Sequence, residues 1–274
     1  MKFNGVEETL FIPLAARVLI SKNYPNYFLD TKSLELENLE QVKSINKKTN
    51  EYLTFASVAR YYVFDKIINN FINKNKDVNI VSLGVGLETM NYRIKDNNNK
   101  FYSIDLDKVI DLRLKILGKK ENETLIKSDI LDMKWTEKVD KNKATLFVVA
   151  GVFQYLKEEQ ILKLITNLKE KFKNSEMIFD ATNSIGIKRA INYVKKTGNK
   201  NAMMYFYVNN EEKFANLANV KLLEVYNFFK ETRKVLRKEL KISTRISMLV
   251  ADKMNMITYK IIKTHFKCVF IFDL

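Results

Sequence analysis

Between Val78 and Phe179 the chain alternates short β-rich runs with helical stretches, and this alternation restricts the possible folds more than any other feature. Val78-Asn79-Ile80-Val81-Ser82-Leu83 closes on a glycine, and Phe101-Tyr102-Ser103-Ile104 ends at Asp105. Ala144-Thr145-Leu146-Phe147-Val148-Val149 is continuous and largely apolar, as in a central strand covered on both faces. Met177-Ile178-Phe179 repeats the theme, and before it Ile161, Leu164, Ile165, Leu168 and Phe172 form a helical stripe. Strand and helix in turn predict an α/β fold, a mostly parallel sheet with helices on its faces.

The flanks read differently. Leu14, Val18 and Leu19 share one helix face, and Val58, Tyr61, Tyr62, Ile68 and Ile72 recur at helical spacing. Asn73-Lys74-Asn75-Lys76-Asp77 has no apolar residue and marks a boundary. Residues 1–75 are therefore expected to form an N-terminal helical cap and 76–274 the sheet-containing core. Leu222–Tyr226 and Ile257–Ile262 read as two further strands, expected as a terminal antiparallel hairpin.

Composition narrows the chemistry. With one cysteine, Cys268, and one histidine, His265, neither a disulfide framework nor a cysteine or two-histidine metal site can form, and no metal is expected. No stretch approaches the ~18 apolar residues of a membrane span, and the start MKFNGVEETL lacks the apolar core of a signal peptide. A cytoplasmic protein without a membrane partner is expected. The net charge of +15 invites a nucleic-acid reading. Lysines are nevertheless spread along the chain among Asn and Ile, and the dense Lys230-Glu231-Thr232-Arg233-Lys234 contains an acid, as a solvated helix face does. A small-molecule partner is favoured over nucleic acid.

Gly84-Val85-Gly86 follows the first run directly, allowing a tight turn where open α/β sheets bind ligands. Asp105 lies about 20 residues on, where an acid can accept hydrogen bonds from ribose hydroxyls. A nicotinamide dinucleotide would use the same acid, but its fingerprint wants a third glycine where this chain has Thr89. Spacing alone also fits an ordinary turn followed by a surface acid.

Leu83-Gly84-Val85-Gly86-Leu87-Glu88-Thr89 with Tyr92-Arg93-Ile94 resembles the "LGAGLDTRxYRL" signature of the leucine carboxyl methyltransferase-like family, which includes polyketide O-methyltransferases. Arg60–Asp65 is similar to its "RTRxxD" helix, Ser103–Asp107 to "EVDxP" and Gly151–Leu156 to "EGVxxYL", in order over residues 9 to 262. The resemblance implies a Rossmann-like class I fold and S-adenosyl-L-methionine as cofactor. It also implies roles: Arg60 on the methionine carboxylate, Gly84 and Gly86 beside the methionine portion, Asp105 at the ribose, Leu106 also at the cofactor, and Asp129 with Ile130 at the adenine. Asp129 fits a loop cap equally well. Thr89-Met90-Asn91 should open the next helix. Ala150, also placed at the cofactor, is a departure, because the family usually has an acid there.

The implied reaction is O-methylation of a small-molecule hydroxyl or carboxylate; RNA or protein acceptors, or a non-catalytic cofactor-binding role, are the alternatives. Tyr155 is the one weak catalytic candidate, as orienting group or packing aromatic. Asp180 is a weaker candidate for the acceptor side, and His265, in a strand-like context, is a poor base. An insertion over residues 192–203 is a possible pocket cover, while Met203, Met204, Tyr205, Phe206 and Tyr207 suit core or substrate wall, core preferred.

Overall fold

The computed structural model describes residues 9–95, 98–196, 203–254 and 259–266. Among the described residues four helices come first: α1 (Phe11–Asn23), α2 (Thr31–Leu34), α3 (Glu40–Asn46) and α4 (Glu51–Lys74). Then β1 (Asn79–Leu83), α5 (Met90–Arg93), β2 (Lys100–Asp105), α6 (Asp107–Leu117), β3 (Glu123–Lys127), β4 (Thr145–Val149), α7 (Glu158–Lys171) and β5 (Ser175–Thr182) alternate. The remainder is α8 (Ser184–Lys196), α9 (Glu211–Leu217), β6 (Lys221–Asn227), α10 (Lys230–Val235), α11 (Ile242–Met254) and β7 (Tyr259–Phe266).

The sheet order is β3-β2-β1-β4-β5-β7-β6, with the first five strands parallel. The chain winds outward from β1 to β3 and returns to β4 on the other side of β1, so the order reverses between β1 and β4. A crevice opens there at the carboxyl ends of the strands. β3 has weak patterning, with Thr124 and Leu125 only half-buried, and was not among the expected strands.

The expected terminal antiparallel pair forms, though not as a tight hairpin. β6 and β7 do pair antiparallel, but α10 and α11 lie between them in sequence, and β7 inserts between β5 and β6. The connection is a helical excursion that packs on the sheet: Phe228, Phe229, Leu236, Leu240, Met248 and Ala251 join the core around α4.

Alternation along the central strands supplies both faces. Ile80, Leu146, Val148 and Ile178 pack toward α4, whereas Val81, Leu83, Phe147, Val149, Met177 and Phe179 pack toward α7. The α7 stripe of Ile161, Leu164, Ile165 and Leu168 is buried as expected, with Phe172 as C-cap. In α4, Val58, Tyr61 and Ile68 are buried, while Tyr62 and Ile72 are partly covered. Asn50 caps α4 by accepting the Leu53 N–H at 3.0 Å. The helix that follows presents Leu53, Ala56, Ser57 and Arg60 along one edge, toward the crevice.

Candidate active site

A cavity of about 410 Å³ lies over the carboxyl ends of β1, β2, β3 and β4. Arg60, Gly84, Gly86, Asp105, Leu106, Asp129, Ile130, Ala150 and Tyr155 all line it, although they come from five separate parts of the chain.

The glycine turn is folded onto the end of β2. The N–H groups of Gly84 and Val85 donate to the Ile104 carbonyl at 2.9 and 3.1 Å. Asp105 accepts the Gly86 N–H at 2.8 Å on one oxygen and the Leu106 N–H at 2.8 Å on the other. Burial pushes its carboxyl pKa up, only partly countered by these two N–H donors and by Arg113. Gly84 has φ +68°, and a Cβ there would stand 2.5 Å from Val152 Cγ2. The turn needs glycine on both counts.

On the other side of β1 from Asp105, over the carboxyl ends of β4 and β5, Arg60 reaches in from α4. Its Nη1 donates to Asp180 Oδ2 at 2.5 Å, and its Nη2 makes only a long contact to Tyr61 Oη at 3.4 Å. Nε is buried without a partner. Burial opposes the charge, but Asp180 beside it more than offsets this and raises the guanidinium pKa above its ordinary value. Asp180 does not itself line the cavity. It lies behind Arg60 and also accepts the Gly151 N–H at 2.6 Å. The register Val149↔Phe179 brings Ala150 and Asp180, the next residue of each strand, side by side. A carboxylate thus stands one strand away from the position where Ala150 lacks one.

Asp129 is exposed at the far end and accepts the Leu131 N–H at 2.9 Å, as a loop cap does, while Ile130 is buried beside it. Tyr155 packs with Ile187, Ala190, Ile191 and Met204 in a small apolar cluster. In the segment after α8, Met204, Phe206 and Val208 are buried, whereas Met203, Tyr205 and Tyr207 are exposed; Met204 alone of these six lines the cavity. Residues 197–202 of the expected cover lie outside the described residues. The backbone of His265 pairs with Glu176 near the start of β5, at the opposite end of that strand from Asp180.

Sequence reasoning missed the roof. Leu10, Ile12, Pro13 and Arg17 of the first helical stretch line the cavity, and Leu10 Cδ2 sits 2.9 Å from where a Gly86 Cβ would be. Arg17 is 1% exposed, and its Nη2 donates to the Leu87 carbonyl at 2.6 Å. A lone arginine within Ala15-Ala16-Arg17-Val18 was the available signal. Glu88 also lines the cavity, and Thr89, read only as a helix opener, is fully buried; it precedes α5 as expected and donates from Oγ1 to Asp30.

An order reversal at β1 and β4, a glycine turn stitched to an acid at the end of β2 and a guanidinium opposite define the class: an S-adenosylmethionine-dependent methyltransferase with a Rossmann-like fold. The leucine carboxyl methyltransferase family profile matches residues 7–169, more than half of the chain, and the protein belongs to that family. S-adenosylmethionine is accordingly its methyl donor. No curated protein matches the sequence.

Solved structures agree on the fold at low identity. A duf574 family protein from Streptomyces avermitilis superposes with TM-score 0.58 at 12% identity, over 92% of this chain and 97% of that one. Magnesium protoporphyrin IX methyltransferase from Synechocystis, with bound SAH, gives 0.51 at 10% identity, over 86% and 99%. Among the described residues no helix is long and apolar enough to cross a membrane.

Proposed function

We propose that this protein transfers a methyl group to an oxygen of a small, largely apolar acceptor, a hydroxyl or a carboxylate. S-adenosylmethionine supplies an electrophilic methyl on a sulfonium. Its acid end suits the N–H groups that Arg60 has not committed to Asp180. Gly84 and Gly86 let backbone approach the middle, Asp105 with Leu106 suits the ribose, and Asp129 with Ile130 the adenine. The donor set fits the cofactor: a cradle that a Cβ would fill, and an unpartnered buried guanidinium nitrogen.

The observation that carries the acceptor assignment is the contrast along the cavity. Away from the glycine turn, its wall is Leu53, Ala56, Ser57, Gln154, Tyr155, Leu156, Ala190 and Met204, and none of these is a histidine, carboxylate or amine that would serve as general base. A carboxylate is already ionised at neutral pH and needs no base. When the ionised acceptor oxygen attacks, a carboxylate or a hydroxyl that has already lost its proton to water, its lone pair forms the new C–O bond and the C–S bonding pair returns to sulfur. An apolar wall favours this loss of charge, and Ser57, Gln154 and Tyr155 are placed to orient the acceptor. The cap of residues 1–75 belongs to the same reading, because α1 and α4 form one wall.

The test is incubation with methyl-labelled S-adenosylmethionine and a panel of apolar carboxylic acids, phenols, amines and RNA. Base-labile methyl ester or aryl ether product supports the proposal. Label on nitrogen or RNA alone refutes the acceptor class.

A further inference from the structure

We propose that Asp180 is a positioning residue for methyl-donor recognition: it holds Arg60 and the Gly151 backbone in one fixed unit so that the guanidinium presents its remaining N–H groups to the donor's carboxylate. This rests on Arg60 being the contact for that carboxylate.

Three features interlock. The Asp180 side chain is 3% exposed, and each oxygen has one short bond, from Arg60 Nη1 and from the Gly151 N–H. Gly151 has φ +72°, and a Cβ there would stand 2.9 Å from Arg60 Nη1, so the guanidinium lies flat against bare backbone. Asp180 is absent from the cavity wall, so it acts through Arg60 and not on the ligand. A carboxylate bound at one edge of a guanidinium removes the side chain's rotational freedom before an anion arrives, which lowers the entropy lost on binding. The arrangement also joins α4 to the ends of β4 and β5 at the cavity. Asp180 lies beyond residues 7–169, so the family match does not contain it.

Titration calorimetry with two ligands separates positioning from plain structural support. S-adenosylhomocysteine carries the amino-acid end, and 5′-methylthioadenosine lacks it. In Asp180→Asn, S-adenosylhomocysteine affinity should fall about tenfold, the scale of a lost charged hydrogen-bond arrangement, with methylthioadenosine changed less than about twofold. In an Arg60→Gln background, adding Asp180→Asn should change S-adenosylhomocysteine affinity by less than about twofold, because the residue acts through a group already gone. Equal losses for both ligands, no loss, or a further tenfold loss in the Arg60→Gln background each overturn the proposal. If Asp180→Asn alone does not fold, the double variant, in which no buried charge is left unmatched, is compared with Arg60→Gln, and a further tenfold loss there overturns the proposal. Wild-type protein that binds neither ligand refutes the donor-site reading itself, a result distinct from all of these.

Discussion

Two groups of buried arginines stand within reach of the same cavity, and they are finished to different degrees. Arg17 and Arg93 sit beneath the glycine turn, Arg93 with all three nitrogens hydrogen-bonded and Arg17 with two of its three. Arg93 donates from Nε and Nη2 to Asp65 at 2.7 and 2.8 Å, and from Nη1 to Glu88 at 2.7 Å and Thr89 at 2.9 Å. Arg17 donates to Asp30, Ser33 and the Leu87 carbonyl. Arg60 has one strong bond and an unpartnered Nε. A saturated network fixes structure, whereas donors left over at a cavity wall are reserved for something that binds there. The network ties α1, the segment before α2, and α4 to the turn, whereas Arg60, paired with Asp180, stands at the cavity wall where the proposed donor contact falls.

The comparison can be broken in several places. Arg93→Met should have the largest effect, since it leaves Asp65 and Glu88 without their main cation; a loss of about 3–5 kcal/mol in denaturant unfolding is expected. Arg60→Gln should cost about 1–2 kcal/mol, because Asp180 keeps the Gly151 N–H, yet weaken S-adenosylhomocysteine binding more than about tenfold. If Arg60→Gln proves the more destabilising of the two, the distinction between the sites collapses.

Acid should act on the network. Burial pushes Asp30 and Glu88 up, but Arg93 and Arg17 pull both further down, below the ordinary values of 3.8 and 4.5. Their stabilisation is present above those values and is lost as pH falls through the lowered ones. Thermal melts should therefore show a steep decline below about pH 4, and Asp30→Asn should make that limb shallower. A limb unchanged in Asp30→Asn would remove that carboxylate from the account. Leu106→Ala should be the mildest change. The side chain is 54% exposed, so stability should stay within about 0.5 kcal/mol while S-adenosylhomocysteine affinity drops only a few-fold.

Much of the sheet was legible because Leu146 through Val149 are apolar on both faces, and a two-sided strand has few alternatives. Gly84, Gly86 and Asp105 were legible because backbone geometry and spacing demand them. β3 was not, since an outer strand with Thr124 and Leu125 half-buried carries little pattern. The β5-β7-β6 order was hidden as well: propensity marks strands but not which neighbours they take. The setting of Asp180 was hidden for a related reason: sequence places it at a strand end, but only tertiary packing turns it toward Arg60 of α4.

Leu10 resting over Gly86 has a thermodynamic corollary. A molecule lodged on the glycine turn touches both the sheet and the first helix, so occupancy and the docking of that helix are linked quantities. Filling the cavity should slow amide exchange across residues 11–23, and whatever pries that helix loose will equally hasten escape of the spent donor.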